Sequence, residues 1–154
     1  MPRLLTAFLD PGLLQDRELQ LVVSALVPAN VEEDLCPAYE LAMKLHGVDA
    51  SIGRIGLRLG DSEFLVKYAG QIGYDVDEPH RGHRYAARSC RLLLPLARAH
   101  RFEALWITCN PENAASRRTC ELVGAELVEI VDLPVDCSMY AEGERRKCRY
   151  RLPL

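Results

Sequence analysis

Along the first half of the chain, apolar and polar residues alternate with the period of strands. Residues 18–27, ELQLVVSALV, are β-branched and apolar and read as a strand. Residues 38–45, AYELAMKL, place Tyr39, Leu41, Met43 and Leu45 on one face. A turn at His46–Asp49 leads into a returning strand over 51–59, carrying Ile52, Ile55, Leu57 and Leu59. Its alternation is imperfect around Gly53 and Gly56. Residues 64–76, FLVKYAGQIGYDV, read as a long strand interrupted at Gly70 and Gly73. Glycine inside a strand marks a bulge or a backbone that something approaches closely. Residues 1–17 are ambiguous: an apolar LLTAF, then a turn signal at Asp10–Gly12.

After residue 76 the period changes. Asp77–Gly82 is a turn, and residues 83–100 put Ala86, Cys90, Leu93 and Ala97 at helical spacing. Pro95 interrupts that helix, at a cost of about 3 kcal/mol and with a kink expected. Residues 104–109, ALWITC, are a short apolar run suited to a buried strand. A second helix follows, with Asn110 as its expected cap, Pro111 and Glu112 in its first turn and Gly124 behind its end. Two closing strands over 126–133 and 147–152 flank a loop with Pro134 and Gly143. Strands, helix, strand, helix, strands imply an α+β (α/β) fold, a mixed sheet with helices packed on it. A chain of 154 residues fits one domain, 1–154.

Composition narrows the function. The net charge is −3 and the pI about 5.8, which disfavours a nucleic-acid binder. No stretch is apolar for long enough to span a membrane, and the first residues, MPRLLTAFLDPG, carry charge and proline too early for a secretory signal. A cytoplasmic protein is expected. The six cysteines form no CxxC pair, so free thiols are the expectation in a reducing compartment. His80 and His83 lack a matching second pair, and no metal is expected.

The chemistry concentrates in Gly73–Ala87, a strand, a tight turn and a helix start. The first N–H groups of a helix have no internal partners, and the helix dipole turns its positive end toward them. Together they make a phosphate pocket. Gly82 allows close approach and Arg81 adds charge. The pattern is neither a P-loop nor GxGxxG.

Arg81-Gly-His-Arg-Tyr-Ala86 resembles the Gln/Arg-x-x-Gly-x-Gly/Ala signature of the GNAT N-acetyltransferase superfamily, with Arg84 at the central glycine. Asn110-Pro-Glu-Asn-Ala-Ala-Ser-Arg-Arg-Thr-Cys-Glu-Leu-Val-Gly124 resembles that family's second helix. The branch it looks most like includes ribosomal-protein N-terminal acetyltransferases. The resemblance implies a mostly antiparallel twisted sheet and an acyl-CoA-dependent N-acyltransferase moving acetyl from acetyl-CoA to a primary amine in a ternary complex. It implies that Tyr74, Asp75 and Val76 pair with the pantetheine arm. Gly82, His83, Arg84, Tyr85 and Ala86 would hold the pyrophosphate beside Arg81, with Asn113 and Ser116 near the thioester. Many members protonate the leaving thiolate with a tyrosine on the second helix, and the matching position here is Cys120. A thiol can serve as acid, while a buried cysteine has an ordinary structural reading. Tyr140 in the late loop is a second acid candidate. Asp75 is the base candidate, against the ordinary reading of a turn-forming aspartate. A CoA-binding sensor or interaction module of the same fold is the alternative function, favoured by Arg84 and by the missing helix tyrosine.

The connection Pro28–Pro37 is too short for the two helices that GNAT domains usually place between their first two strands, since one helix averages about 11 residues. An open apolar face is costly to expose. Closure by a homodimer is expected, with residues 1–17 or 134–145 as intrachain candidates. The acceptor is expected to be a small-molecule or peptide amine.

Overall fold

The computed structural model describes residues 7–154. Of the ambiguous segment, residues 1–6 lie outside the described residues. The remainder ends in β1 (Leu14–Asp16), which pairs antiparallel with β2 (Leu19–Val27). Next follow β3 (Ala38–Leu45), β4 (Gly53–Arg58) and β5 (Ile72–Val76), in the sheet order β1-β2-β3-β4-β5. Every ladder in this sheet is antiparallel. The connection 28–37 is a tight loop closed by an Asn30–Leu35 bridge, with no helix.

Alternation decides the buried face. Leu19, Leu21, Tyr39, Leu41, Met43, Ile55, Leu57 and Ile72 are buried on one side. Against them packs α1 (Tyr85–Ala99) through Cys90, Leu93, Leu96 and Ala97. Burying each large aliphatic side chain stabilises by about 1.5–3 kcal/mol. Pro95 lies inside α1 on its exposed side. The buried Arg88 of α1 donates to Asp16 and Glu18 and so fastens the β1–β2 hairpin to the helix. At the other end of α1, the buried Tyr39 hydroxyl bonds His100 Nε2 at 2.7 Å and accepts from the Leu9 N–H at 2.7 Å.

One expected element is different. Residues 64–76 are not one long strand: Leu65–Ala69 form a short π-helical turn, and only Ile72–Val76 are extended. The Ser62 hydroxyl accepts the Leu65 N–H at 3.2 Å and starts that turn. Gly70, at φ +79°, ends it. A Cβ there would stand 3.1 Å from the Thr108 nitrogen, so Gly70 is the close approach of two backbones.

The second half builds β6 (Ala104–Cys109), α2 (Ala114–Leu122), β7 (Glu126–Asp132), a short α3 (Ser138–Ala141) and β8 (Arg146–Pro153). These strands form a second antiparallel sheet, ordered β6-β8-β7. Instead of one continuous mixed sheet there are two antiparallel sheets, and no ladder joins β5 to β6 among the described residues. The two strands meet at one end only. There the Gln71 N–H donates to the Trp106 carbonyl, and the Trp106 N–H donates to Gln71 Oε1, both at 2.8 Å. A side chain takes the place of a backbone partner, and beyond it the sheets part.

Candidate functional site

Where β5 leaves β6, a cleft of about 450 Å³ opens between the end of β5, the start of α1 and one face of α2. Its phosphate-like end is the turn after β5. Gly82 takes φ +92°, and a Cβ there would meet nothing within 4 Å, so glycine serves for conformation and not for space. Arg84, at φ 61° and ψ 24°, is the residue ahead of α1 and is left-handed. The signature glycine position is therefore one that glycine suits, and Arg84 adopts it at a cost of about 1–2 kcal/mol. The first helical bond runs from the Arg88 N–H to the Arg84 carbonyl at 2.9 Å. The N–H groups of Tyr85, Ala86 and Ala87 consequently have no acceptor within the helix.

Arg81 braces this turn. Its Nε–H donates to the Val76 carbonyl at 2.8 Å, and Nη2 lies 3.7 Å from Asp75 Oδ1. The structure brings Tyr74, Asp75, Val76, Arg81, Gly82, Arg84, Tyr85, Ala86, Asn113 and Ser116 together around the one cleft. His83 is not among the lining residues; its ring lies 5.4 Å from that of Tyr85. His80, Ala115, Arg118, Thr119 and Leu122 also line the cleft and were not expected. Of these, Arg118, Thr119 and Leu122 stand three, four and seven residues after Ala115, so the period of α2 already put the four on one face.

The cap of α2 corrects the sequence reading. Asn113, not Asn110, caps the helix, its Oδ1 accepting the Ser116 N–H at 3.1 Å. Asn110 instead donates to Glu144 Oε1 at 2.8 Å, which also accepts from the buried Lys147 at 3.0 Å.

At the inner end of the cleft the Tyr74 hydroxyl stands 2.7 Å from Ser116 Oγ and 4.0 Å from Cys120 Sγ. Burial holds this phenol above its ordinary range and so keeps it protonated. Cys120 is wholly buried; its hydrogen bond with Cys109, then burial, push its thiol up. Cys120 thus lies beneath the cleft and not on its wall. Tyr140 lies on α3 with the Arg145 guanidinium 3.8 Å over its ring, and it is not a lining residue. Among the described residues no group of three His, Cys, Asp or Glu side chains is placed to hold a metal ion, and no helix is long and apolar enough to cross a membrane.

Comparison with known proteins agrees with this geometry. Residues 15–126, well over half of the chain, match the family description "Acetyltransferase (GNAT) domain". A search of curated protein sequences gives no match. The solved structures that share the fold include the following three. A GNAT-family acetyltransferase from Bacillus anthracis is 18% identical at a TM-score of 0.59, over 74% of this chain and 65% of that one. The microcin C7 self-immunity acetyltransferase MccE, solved with acetyl-CoA and AMP, is 15% identical at 0.58, over 76% and 61%. A Vibrio cholerae protein described as a ribosomal-protein-serine acetyltransferase is 13% identical at 0.67, over 95% of this chain and 100% of its own. The chain spans less than two thirds of the length of the first two. A helix-start turn at Arg81–Ala86, a capped second helix facing it, and a sequence match that runs through both give one conclusion: this chain belongs to the GNAT acetyltransferase family.

Proposed function

We propose that the protein is an acyl-CoA-dependent N-acyltransferase that moves an acetyl group from acetyl-CoA to a primary amine by direct attack in a ternary complex. The observation that carries this is the cleft itself. Its outer end is a helix start with free N–H groups beside Arg81, which suits a pyrophosphate. Its inner end is hydroxyl-lined and buried, which suits a thioester. The edge of β5 between them runs from one to the other and suits a pantetheine arm paired like an added strand. The solved relative that holds acetyl-CoA supports the same cofactor here.

The peptide amine is the acceptor class we favour, because the relative that matches 95% of this chain over its own full length is described as a ribosomal-protein-serine acetyltransferase. Asp75 lines the cleft and is mostly exposed beside Arg81, a placement that suits an acceptor for the amine proton. The short 28–37 loop leaves apolar residues uncovered. Val31 is 92% exposed, and Leu26, Val27 and Leu35 beside it are exposed as well. A second subunit covering them, near the acceptor entrance, fits this surface. A cytoplasmic location follows from such an acceptor. The competing reading, a CoA-binding sensor, draws on Arg84 and Cys120 standing where the family has glycine and tyrosine. An acceptor screen decides: acetyl-CoA with N-terminal peptides and small amines, followed by release of CoA thiol. Turnover supports the transferase. Acetyl-CoA binding without turnover on any amine supports the sensor.

A further inference from the structure

On the face of the five-stranded sheet turned away from α1, two charged side chains lie side by side without pairing. Glu40 of β3, Gly56 of β4 and Gly73 of β5 are partners in one register row. They alternate with the buried Leu41, Ile55 and Ile72, which puts the row on the opposite face. A Cβ at Gly56 would stand 3.3 and 3.4 Å from the two Glu40 carboxylate oxygens, so this carboxylate lies above the β4 backbone. A Cβ at Gly73 would stand 3.6 and 3.8 Å from Nη2 and Nη1 of Arg58, so the guanidinium lies above β5. Arg58 Nη1 donates to the Gly70 carbonyl at 2.8 Å and to the Ala69 carbonyl at 3.3 Å. The end of the π-helical turn thus holds Arg58 in place and keeps it from closing on Glu40. Glu40 is half-buried, yet among the described residues its carboxylate has no hydrogen bond and no ion pair. Arg58 Nε and Nη2 likewise have no acceptor there.

This place adjoins the reaction. Tyr74 turns to the inner end of the cleft, and its neighbour Gly73 lies on the other face. Beyond the Gln71–Trp106 contact β5 has no ladder partner on the β6 side, so the gap between the sheets opens beside Gly73. Resting on the acyl-CoA reading above, we propose that Glu40 and Arg58 select a peptide acceptor by its backbone: Arg58 donates to the first carbonyl of the peptide, and the Glu40 carboxylate accepts the N–H of its second residue. Both are specificity-determining residues for the acceptor and take no part in the chemical step.

The spacing fits an extended chain. The gap beside β5 and the carboxylate above β4 are about one strand spacing apart, roughly 5 Å. One residue of extended peptide advances about 3.5 Å, and a hydrogen bond adds about 2.9 Å. A reacting amine in the gap therefore places its own carbonyl over Gly73, under Arg58, and its next N–H within reach of Glu40. The order of the two charges is the order of the two groups in the peptide, acceptor first and donor second.

The other charges of this face are differently placed. Lys44 donates to the Asp49 carbonyl at 2.8 Å, and Asp75 lies 3.7 Å from Arg81. Arg54 stands in the next register row, between Ala42 and Asp75. Glu40 is left as the carboxylate of this face without a cation, and a half-buried carboxylate gains most from a donor that arrives with a ligand. A simple amine brings neither a carbonyl for Arg58 nor a second N–H for Glu40, so the pair favours peptides over small amines without reading their side chains.

The test uses the full chain saturated with CoA and three probes: a tetrapeptide amide with a free N-terminal serine, the same peptide N-methylated at its second residue, and ethanolamine. Calorimetry should show the native protein binding the peptide, with N-methylation weakening it about tenfold or more, the loss of a hydrogen bond to a charged group. Glu40→Ala should weaken the plain peptide by a similar factor, and N-methylation should then add nothing. In steady state with acetyl-CoA, Glu40→Ala should raise KM for the peptide and leave kcat, the Kd for acetyl-CoA and kcat/KM for ethanolamine nearly constant. Arg58→Gln should act in the same direction, and melting curves within a few degrees of native show that the variants fold. The Glu40→Ala and N-methyl comparison decides alone if Arg58→Gln does not fold. Peptide affinity unchanged in Glu40→Ala, N-methylation that weakens native and Glu40→Ala equally, or no peptide binding to the CoA-loaded native protein overturns the proposal. If the native protein does not bind CoA at all, the acyl-CoA reading itself fails and takes the proposal with it, which is a different result.

Discussion

The Nε–H of Arg81 donates to the carbonyl of Val76 at 2.8 Å, so the turn that offers N–H groups to a phosphate is tied to the end of the strand that precedes it. Arg81 thereby places its charge at the cleft mouth. Arg81→Ala should weaken CoA by about 1.5–3 kcal/mol, the range for a charged hydrogen bond. Pantetheine fragments without the pyrophosphate should lose far less. Calorimetry on both ligands checks this, and equal losses would make Arg81 a structural brace alone.

Arg84 holds a left-handed backbone at φ 61°. Arg84→Gly should relieve about 1–2 kcal/mol of strain, reduced by the extra entropy that glycine loses on folding. The expected outcome is a melting temperature about 1–4 °C higher with CoA affinity retained. Gly82→Ala should act in the opposite sense, because φ +92° disfavours any Cβ. A scanning calorimeter reads both. A lower melting temperature in Arg84→Gly would mean that the arginine side chain makes a stabilising contact.

How much of this is legible in the chain varies by element. The strand, turn and helix around Arg81–Ala86 are readable because the period changes from two to about 3.6 at the turn. The missing helices after β2 follow from chain length and two prolines. The π-helical turn at Leu65–Ala69 is not readable, because FLVKY has strand-like composition. Its course is decided by the close approach of Gly70 to Thr108, a contact 38 residues away in the chain (108 − 70). The choice of Asn113 over Asn110 as cap is likewise decided from afar, by Glu144 claiming the Asn110 amide. The gap between the sheets depends on the Gln71 side chain replacing a backbone partner, and no local pattern encodes that. The contact of Tyr74 with Ser116 and Cys120 is invisible for the same reason: Tyr74 looks unrelated to them until β5 and α2 converge.

Arg88 bonds Asp16 at 2.6 Å and also pairs with Glu18, and it lowers the pKa of both carboxylates. A carboxylate with a depressed folded-state pKa contributes stability that is present above its unfolded value, near 4, and is lost as pH falls through the folded value. The native melting temperature should therefore fall as pH drops below about 4. In Arg88→Met this part of the fall should be absent, so the two curves converge at low pH. Parallel curves from neutral pH to acid would show that the pair is not coupled to folding.

Val31, at 92% exposure, marks the uncovered apolar loop between β2 and β3. Sedimentation of the native protein should give a dimer, and Val31→Asp with Leu26→Asp should give a folded monomer with reduced transfer to peptide acceptors and unchanged acetyl-CoA affinity. A native protein that is monomeric at assay concentration and fully active contradicts closure by a second subunit.

The most direct test of the whole account is the titration of the native protein with acetyl-CoA in a calorimeter, paired with a melting curve. A ligand that binds only the folded state raises the melting temperature by mass action, by about 2.7 kcal/mol of stability at a concentration 100 times the Kd. The account predicts saturable heat and a rising melting temperature. Both effects should be diminished by Arg81→Ala and preserved in Arg84→Gly. No heat and no shift at millimolar acetyl-CoA would contradict it.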